Sequence, residues 1–176
     1  MSNLRLINQT EITTSISSVN ITDVFSADFD IYKITINGIK TTGTTAVRNR
    51  IRVINSAGSV SSQLAYDNAY LQTKSWTTLG EGRNTSSTSI TTPIGASDNP
   101  DSANTIMYVF NPYNSSSYTF FLHQANSFFN GNMEMDKGIA VFKVTNSITG
   151  FQLLDDTGTA PFNTGFIRTY GLRVDS

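Results

Sequence analysis

The chain has 176 residues, a formal charge of −1 and 14% charged residues, so it is long enough for one domain with its own core and too evenly charged for electrostatic attraction to nucleic acid or an anionic membrane. The absence of cysteine excludes a disulfide framework, thiolate chemistry and a zinc ribbon. With 11 Phe and 7 Tyr it is no disordered tail, and its abundance of Ser, Thr and Asn suits pleated strands and turns.

The opening "MSNLRLINQTEITTSISS" has no basic segment leading into an apolar block, so it does not read as a signal peptide. No apolar run approaches the ~18 residues of a membrane span. The expectation is a soluble protein made in a cytoplasm. Next comes "TDVFSADF", the best helix candidate, where Thr22 or Asp23 is placed to cap a single turn.

From there alternation dominates. "DIYKITIN" sets Tyr32, Ile34 and Ile36 against Lys33, Thr35 and Asn37, and turn signals follow at Asn37-Gly38 and Ala57-Gly58. "VRNRIRVIN" puts Val47, Ile51 and Val53 inward if Arg48, Arg50 and Arg52 face solvent. The stretch from Thr77 to Asn104, rich in Gly, Pro and Ser, reads as a long excursion with one short strand around "STSITT".

"TIMYVFN" is a strand wet on neither face. Asn111-Pro112 opens a polar tip, "NPYNSSS", and "SYTFFLHQ" returns with Tyr118, Phe120 and Leu122 on one side and Thr119, Phe121 and His123 on the other. After turns at Asn130-Gly131 and Asp156-Thr157-Gly158, "GIAVFKVTN", "GFQLLD" and "GFIRTYGLRV" complete a series of strands. About eight or nine strands in a single domain over residues 1–176, with no repeat of fixed period, predict an all-β, two-sheet antiparallel sandwich of jelly-roll-like type with one long loop.

Candidate chemistry is sparse. His123, the lone histidine, sits in mid-strand and has no visible Ser or Asp partner, so a structural or interface role outweighs catalysis. Acids cluster as Asp98/Asp101, Glu134/Asp136 and Asp155/Asp156, each beside turn residues, and no facing pair suited to glycoside hydrolysis can be located. The oxygens of "SDNPDSAN" suit calcium but lack EF-hand spacing, and turn chemistry explains them more simply. "LGEGRNTS" is followed by no helix and is no phosphate loop.

The stripe Arg48, Arg50 and Arg52 is either a solvated face or a match for an acidic partner. Tyr66, Tyr70 and Trp76 are either core or an aromatic platform for a sugar ring. No cofactor is implied. Because the strand carrying Phe120 and Phe121 is apolar on both sides, Phe121 and His123 are expected at an interface with a neighbour.

Three segments carry a family resemblance. "DVFSADFDIYKITINGI", "YVFNPYNSSSYTFF" and "SITGFQLLDDTGTAPFNTGFIRTYGLRV", in that order along nearly the whole chain, resemble segments of virion-associated proteins of tailed phages, marine ones especially. The resemblance implies a jelly-roll-like module used in head decoration proteins and distal tail-fibre domains, often as trimers. With Met1 directly before the module and no shaft ahead of it, the expectation is a separate decoration or cement subunit. Its partners would be other virion proteins, the major capsid protein or a tail component, within a homotrimer. The alternative is a fibre-tip module recognising a host glycan. No catalytic residues of an enzyme family find a counterpart.

Overall fold

The computed structural model describes residues 3–42, 48–95, 102–129, 132–155, 158 and 160–173, and among them every regular element is a strand. In chain order these are β1 (Leu4–Ile12), β2 (Ser18–Ile21), β3 (Ile31–Thr41), β4 (Arg48–Asn55), β5 (Tyr66–Lys74) and β6 (Gly80–Ser87). Then follow β7 (Ile90–Gly95), β8 (Ala103–Phe110), β9 (Thr119–Phe129), β10 (Asn132–Phe142), β11 (Ile148–Asp155) and β12 (Phe162–Leu172).

The strands form two antiparallel sheets. The large one has eight strands in the order β1-β12-β3-β8-β9-β10-β5-β6, and the small one has four, β2-β11-β4-β7. Without β5, β6, β9 and β10, eight strands remain whose pairs are nested: β1 with β12, β2 with β11, β3 with β8, β4 with β7. That nesting is a jelly roll. The other four strands are two hairpins, β5–β6 and β9–β10, and both extend the same sheet beyond β8.

The twelve strands exceed the eight or nine expected, for physical reasons. β6 has no apolar side chain because it is an edge strand, and β2 is only four residues long. The stretch expected to be a long excursion with one short strand thus holds two, β7, which overlaps the expected "STSITT" strand and lies at the edge of the small sheet, and β6 at the edge of the large one. The helix expected at Thr22–Phe29 is absent. Asp23 takes a positive φ of 56°, and the Val24 and Phe25 N–H groups donate to the Thr149 carbonyl at 2.9 and 3.1 Å. Their side chains plug one end of the sandwich, with the Phe25 ring edge-on to Tyr32 at 4.8 Å.

Asn37-Gly38 is no turn either. It lies inside β3, where Gly38 has φ 67° and the register with β8 shifts between Ile36 and Ile39, so the left-handed glycine makes a bulge. Ala57-Gly58 is the turn the sequence predicts, with Gly58 N–H donating to the Asn55 carbonyl at 2.9 Å. The Asn130-Gly131 turn lies outside the described residues.

The core lies between the jelly-roll strands. Ile34 and Ile36 of β3 and Val109 of β8 face Ile51 and Val53 of β4 and Phe151 and Leu153 of β11. Each such side chain contributes about 1.5–3 kcal/mol by leaving water. The alternation read in "DIYKITIN" is present: Tyr32, Ile34 and Ile36 are fully buried.

Candidate functional site

The two added hairpins carry most of the candidate residues, and their two faces differ. On β9, Thr119, Phe121 and His123 point inward, with Phe121 3% and His123 1% exposed. Phe120 and Leu122 point outward. The interface expected at Phe121 and His123 is therefore on the wrong side of its strand. Both residues are enclosed within the protein, and the face left open is that of their neighbours.

That open face is apolar across four strands. Leu122 on β9 pairs with Tyr108 on β8 and Ile139 on β10, and Ile139 pairs with Ala69 on β5. Phe120 sits between Phe110 and Val141 in the next row. Ile139 is 61% exposed, Leu71 64% and Phe120 47%, and Met133 and Met135 continue the surface along β10. A groove of about 540 Å³ runs over Phe110, Phe120, Leu122, Ile139 and Val141, with Arg83 and Asn84 at its rim. Beside it, a second depression of about 580 Å³ lies over Leu71, between Lys137 and Glu81.

The inward face of the same strands is polar. Asp136 on β10 is cross-strand from Gln72 on β5 and Ala125 on β9, and it is 1% exposed. Neither of its carboxyl oxygens has a hydrogen-bond partner, and neither does either ring nitrogen of His123. Burial pushes His123 down to about 4. Burial, reinforced by the Glu134 carboxylate, pushes Asp136 up to about 7, against the pull of Arg48, Gln72 and Lys74. The Gln72 amide is itself donated to Glu134 Oε1.

Two glycines make room for rings in this layer. A Cβ on Gly138 would lie 2.6 Å from His123 Cε1, and one on Gly82 would run into the Tyr70 ring. His123 and Tyr70 thus lie flat over the backbone of the next strand.

The arginine stripe is not a free basic surface. Arg48 Nη1 donates to Tyr70 Oη at 2.6 Å, Arg50 Nη1 to Thr91 Oγ1 at 3.1 Å, and Arg52 Nε to the Thr88 carbonyl at 3.3 Å. Asn84 of β6 donates to the same Thr91 Oγ1 at 3.4 Å. The large sheet therefore curls round the β7 edge and meets the arginine-bearing face of the small one, which leaves all three arginines half-buried.

Nor do Tyr66, Tyr70 and Trp76 form one platform. Tyr66 is buried, its hydroxyl accepting from Val53 N–H at 3.0 Å and donating to the Ser61 carbonyl at 2.9 Å. Tyr70 lies under Arg48. Trp76 alone is exposed, with the Lys74 ammonium 5.6 Å from its ring centre. Among the described residues no group of three or more His, Asp or Glu side chains is placed to hold a metal ion. Asp98 and Asp101, whose oxygens suit calcium but read more simply as turn chemistry, lie outside those residues.

Sequence reasoning named Asp136 only as one of the acids beside turn residues and missed its burial, and it missed the outward Met133, Met135 and Ile139 and the glycine seats. In "MEMDKGIAV" alternation separates the two sets but not which is inside, and hydrophobicity alone would bury the methionines. No protein-family model matches the chain, and no curated protein matches it in sequence.

Proposed function

We propose that the protein is a structural subunit of a tailed-phage virion, a decoration subunit that docks on its shell through the outer face of β8, β9, β10 and β5. The observation that carries this is the uncovered apolar surface centred on Phe120, Leu122 and Ile139. Monomeric proteins rarely expose contiguous apolar patches beyond a few hundred Å², and larger ones mark contact surfaces. The segment resemblance and the jelly-roll core support the same reading. The subunit works by burying this face against the shell protein, with energy spread over many contacts, and a threefold arrangement multiplies weak contacts through avidity.

The test is a protein inventory of purified particles together with reconstitution. The chain is expected in the particle, and Ile139→Lys combined with Phe120→Lys is expected to lower its occupancy at least tenfold without unfolding it. Absence of the chain from purified particles, or undiminished binding of the double variant, refutes the reading.

The exposed Trp76 favours a second reading, a fibre-tip module that stacks a host sugar on this ring. Unchanged adsorption after Trp76→Ala would remove it.

A further inference from the structure

The buried layer behind the docking face holds a carboxyl group in a setting that suits only its neutral form. Asp136 is almost fully enclosed, and neither oxygen has a hydrogen-bond partner. Around it, Glu134 on its own strand repels a second negative charge, and Gln72 on β5 is donated to Glu134. His123 on β9 is buried without partners. The two cations within electrostatic reach are both engaged: Lys74 of β5 lies over the Trp76 ring, and Arg48 of β4 is bonded to Tyr70 Oη. On β7, which packs against β9 and β10, the buried Thr91 and Thr92 are uncharged.

A carboxylate formed there would be dry and without a counter-ion, with the neutral Gln72 amide opposite it favouring the charge only weakly, at a cost that a buried charge relieves by finding a cation. Among the described residues, the cation that acts on Asp136 from the opposite sheet is Arg48. Its present partner, the Tyr70 hydroxyl, is neutral, and a charged acceptor outcompetes a neutral one for a guanidinium. The Tyr70 ring in turn rests on Gly82 of the edge strand β6.

We propose that Asp136 is a proton-operated latch: as the neutral acid it lets the added hairpins close on the small sheet, and its ionisation draws Arg48 off Tyr70 and loosens β6. The proton leaves to solvent, no covalent bond changes, and the negative charge is met by a guanidinium already inside the protein. Because the backbones of Tyr70, Gly82 and Gly138 also line the outer depression, the latch acts on the far side of the docking surface. It stands independently of the virion reading, since it concerns the isolated chain.

NMR of the full chain from pH 5 to pH 9 tests it. The Asp136 carboxyl carbon is expected to titrate near 7. The Tyr70 ring and Gly82 amide signals should move through the same midpoint. Asp136→Asn should abolish that step, Glu134→Gln should shift it to lower pH, and His123→Gln should leave it in place. An Asp136 carboxyl that titrates in the ordinary carboxylate range overturns the proposal, as does a Tyr70 and Gly82 step that survives in Asp136→Asn. Should Asp136→Asn not fold, the carboxyl titration and the Tyr70 signal of the unaltered protein decide the matter.

Discussion

At the scale of single residues, Asp136 and His123 are a pair whose effects on stability oppose each other. The folded protein holds Asp136 near 7 against 3.8 unfolded, so its contribution is present at low pH and is lost as pH rises toward and through 7. His123 sits near 4 against 6.5, so its contribution is present at high pH and is lost as pH falls through that window. Between these limits the folded chain carries one proton on Asp136, and the unfolded chain carries one on His123. The proton counts match, and the pair contributes no slope. Asp136→Asn should therefore expose the histidine, giving a stability that falls by up to about 1.4 kcal/mol per pH unit on acidification below roughly 6.5. His123→Gln should expose the opposite slope, a loss on going up toward pH 7. Urea unfolding across pH 4 to 8 measures both, and parallel slopes in the two variants would contradict the cancellation. Gly138→Ala is a steric test at the same place. Its Cβ would meet His123 and, at 2.7 Å, the Ala69 carbonyl, which is backbone and cannot move aside. A loss of about 1–3 kcal/mol in thermal or urea unfolding is expected.

At the scale of elements, β9 and β10 show what alternation can and cannot reveal. That Phe120 and Phe121 fall on opposite faces is legible in "YTFFLHQ", and so is the conclusion that this strand has apolar groups to spare. Which of the two is inside is not legible, because a period of two is symmetric between faces. On β10 the ordinary rule inverts over the first half of the strand. Met133, Met135 and Ile139 face out, while Asp136 and Gly138 face in, because this part of the sheet lies against β7 and the arginines and not against the apolar core. The faces can be told apart by substitution. Phe121→Ala should cost about 3–5 kcal/mol through a core cavity, whereas Ile139→Lys or Leu71→Lys should change stability by less than about 0.5 kcal/mol. If the lysine variants unfold the protein as readily as Phe121→Ala does, the outer face is not the open one. β6 was beyond the reach of pattern reading, since no side chain in "GEGRNTSS" signals burial and its strand character comes from pairing with β5.

At the scale of the molecule, the sequence indicates sheets but not their order. Alternating segments and turn residues suffice for an all-β sandwich, and the jelly-roll expectation rested on the number of strands, with the resemblance of three segments implying the same fold. Nothing in local periodicity tells β8 to neighbour β9 on one side and β3 on the other. The added hairpins are likewise invisible as additions until the nested pairing of the remaining eight strands is drawn. The aromatic trio failed for the same reason: Tyr66 and Tyr70 share the inward face of β5, but that face passes from the core at Tyr66 to the arginine seam at Tyr70, and Trp76 lies in solvent beyond the end of the strand.

The nesting also dictates the order in which the chain can fold. β12 lies between β1 and β3, pairing Leu4 with Leu172 on one side and Ile31 with Leu172 on the other. During synthesis β1 and β3 emerge early, yet the strand that joins them emerges after every other. Until then both present bare edges, and the large sheet closes only when β12 arrives. A chain cut before Phe162 should therefore accumulate as an aggregation-prone intermediate, visible as loss of soluble yield and of cooperative unfolding, whereas supplying the β12 segment as a peptide should restore both.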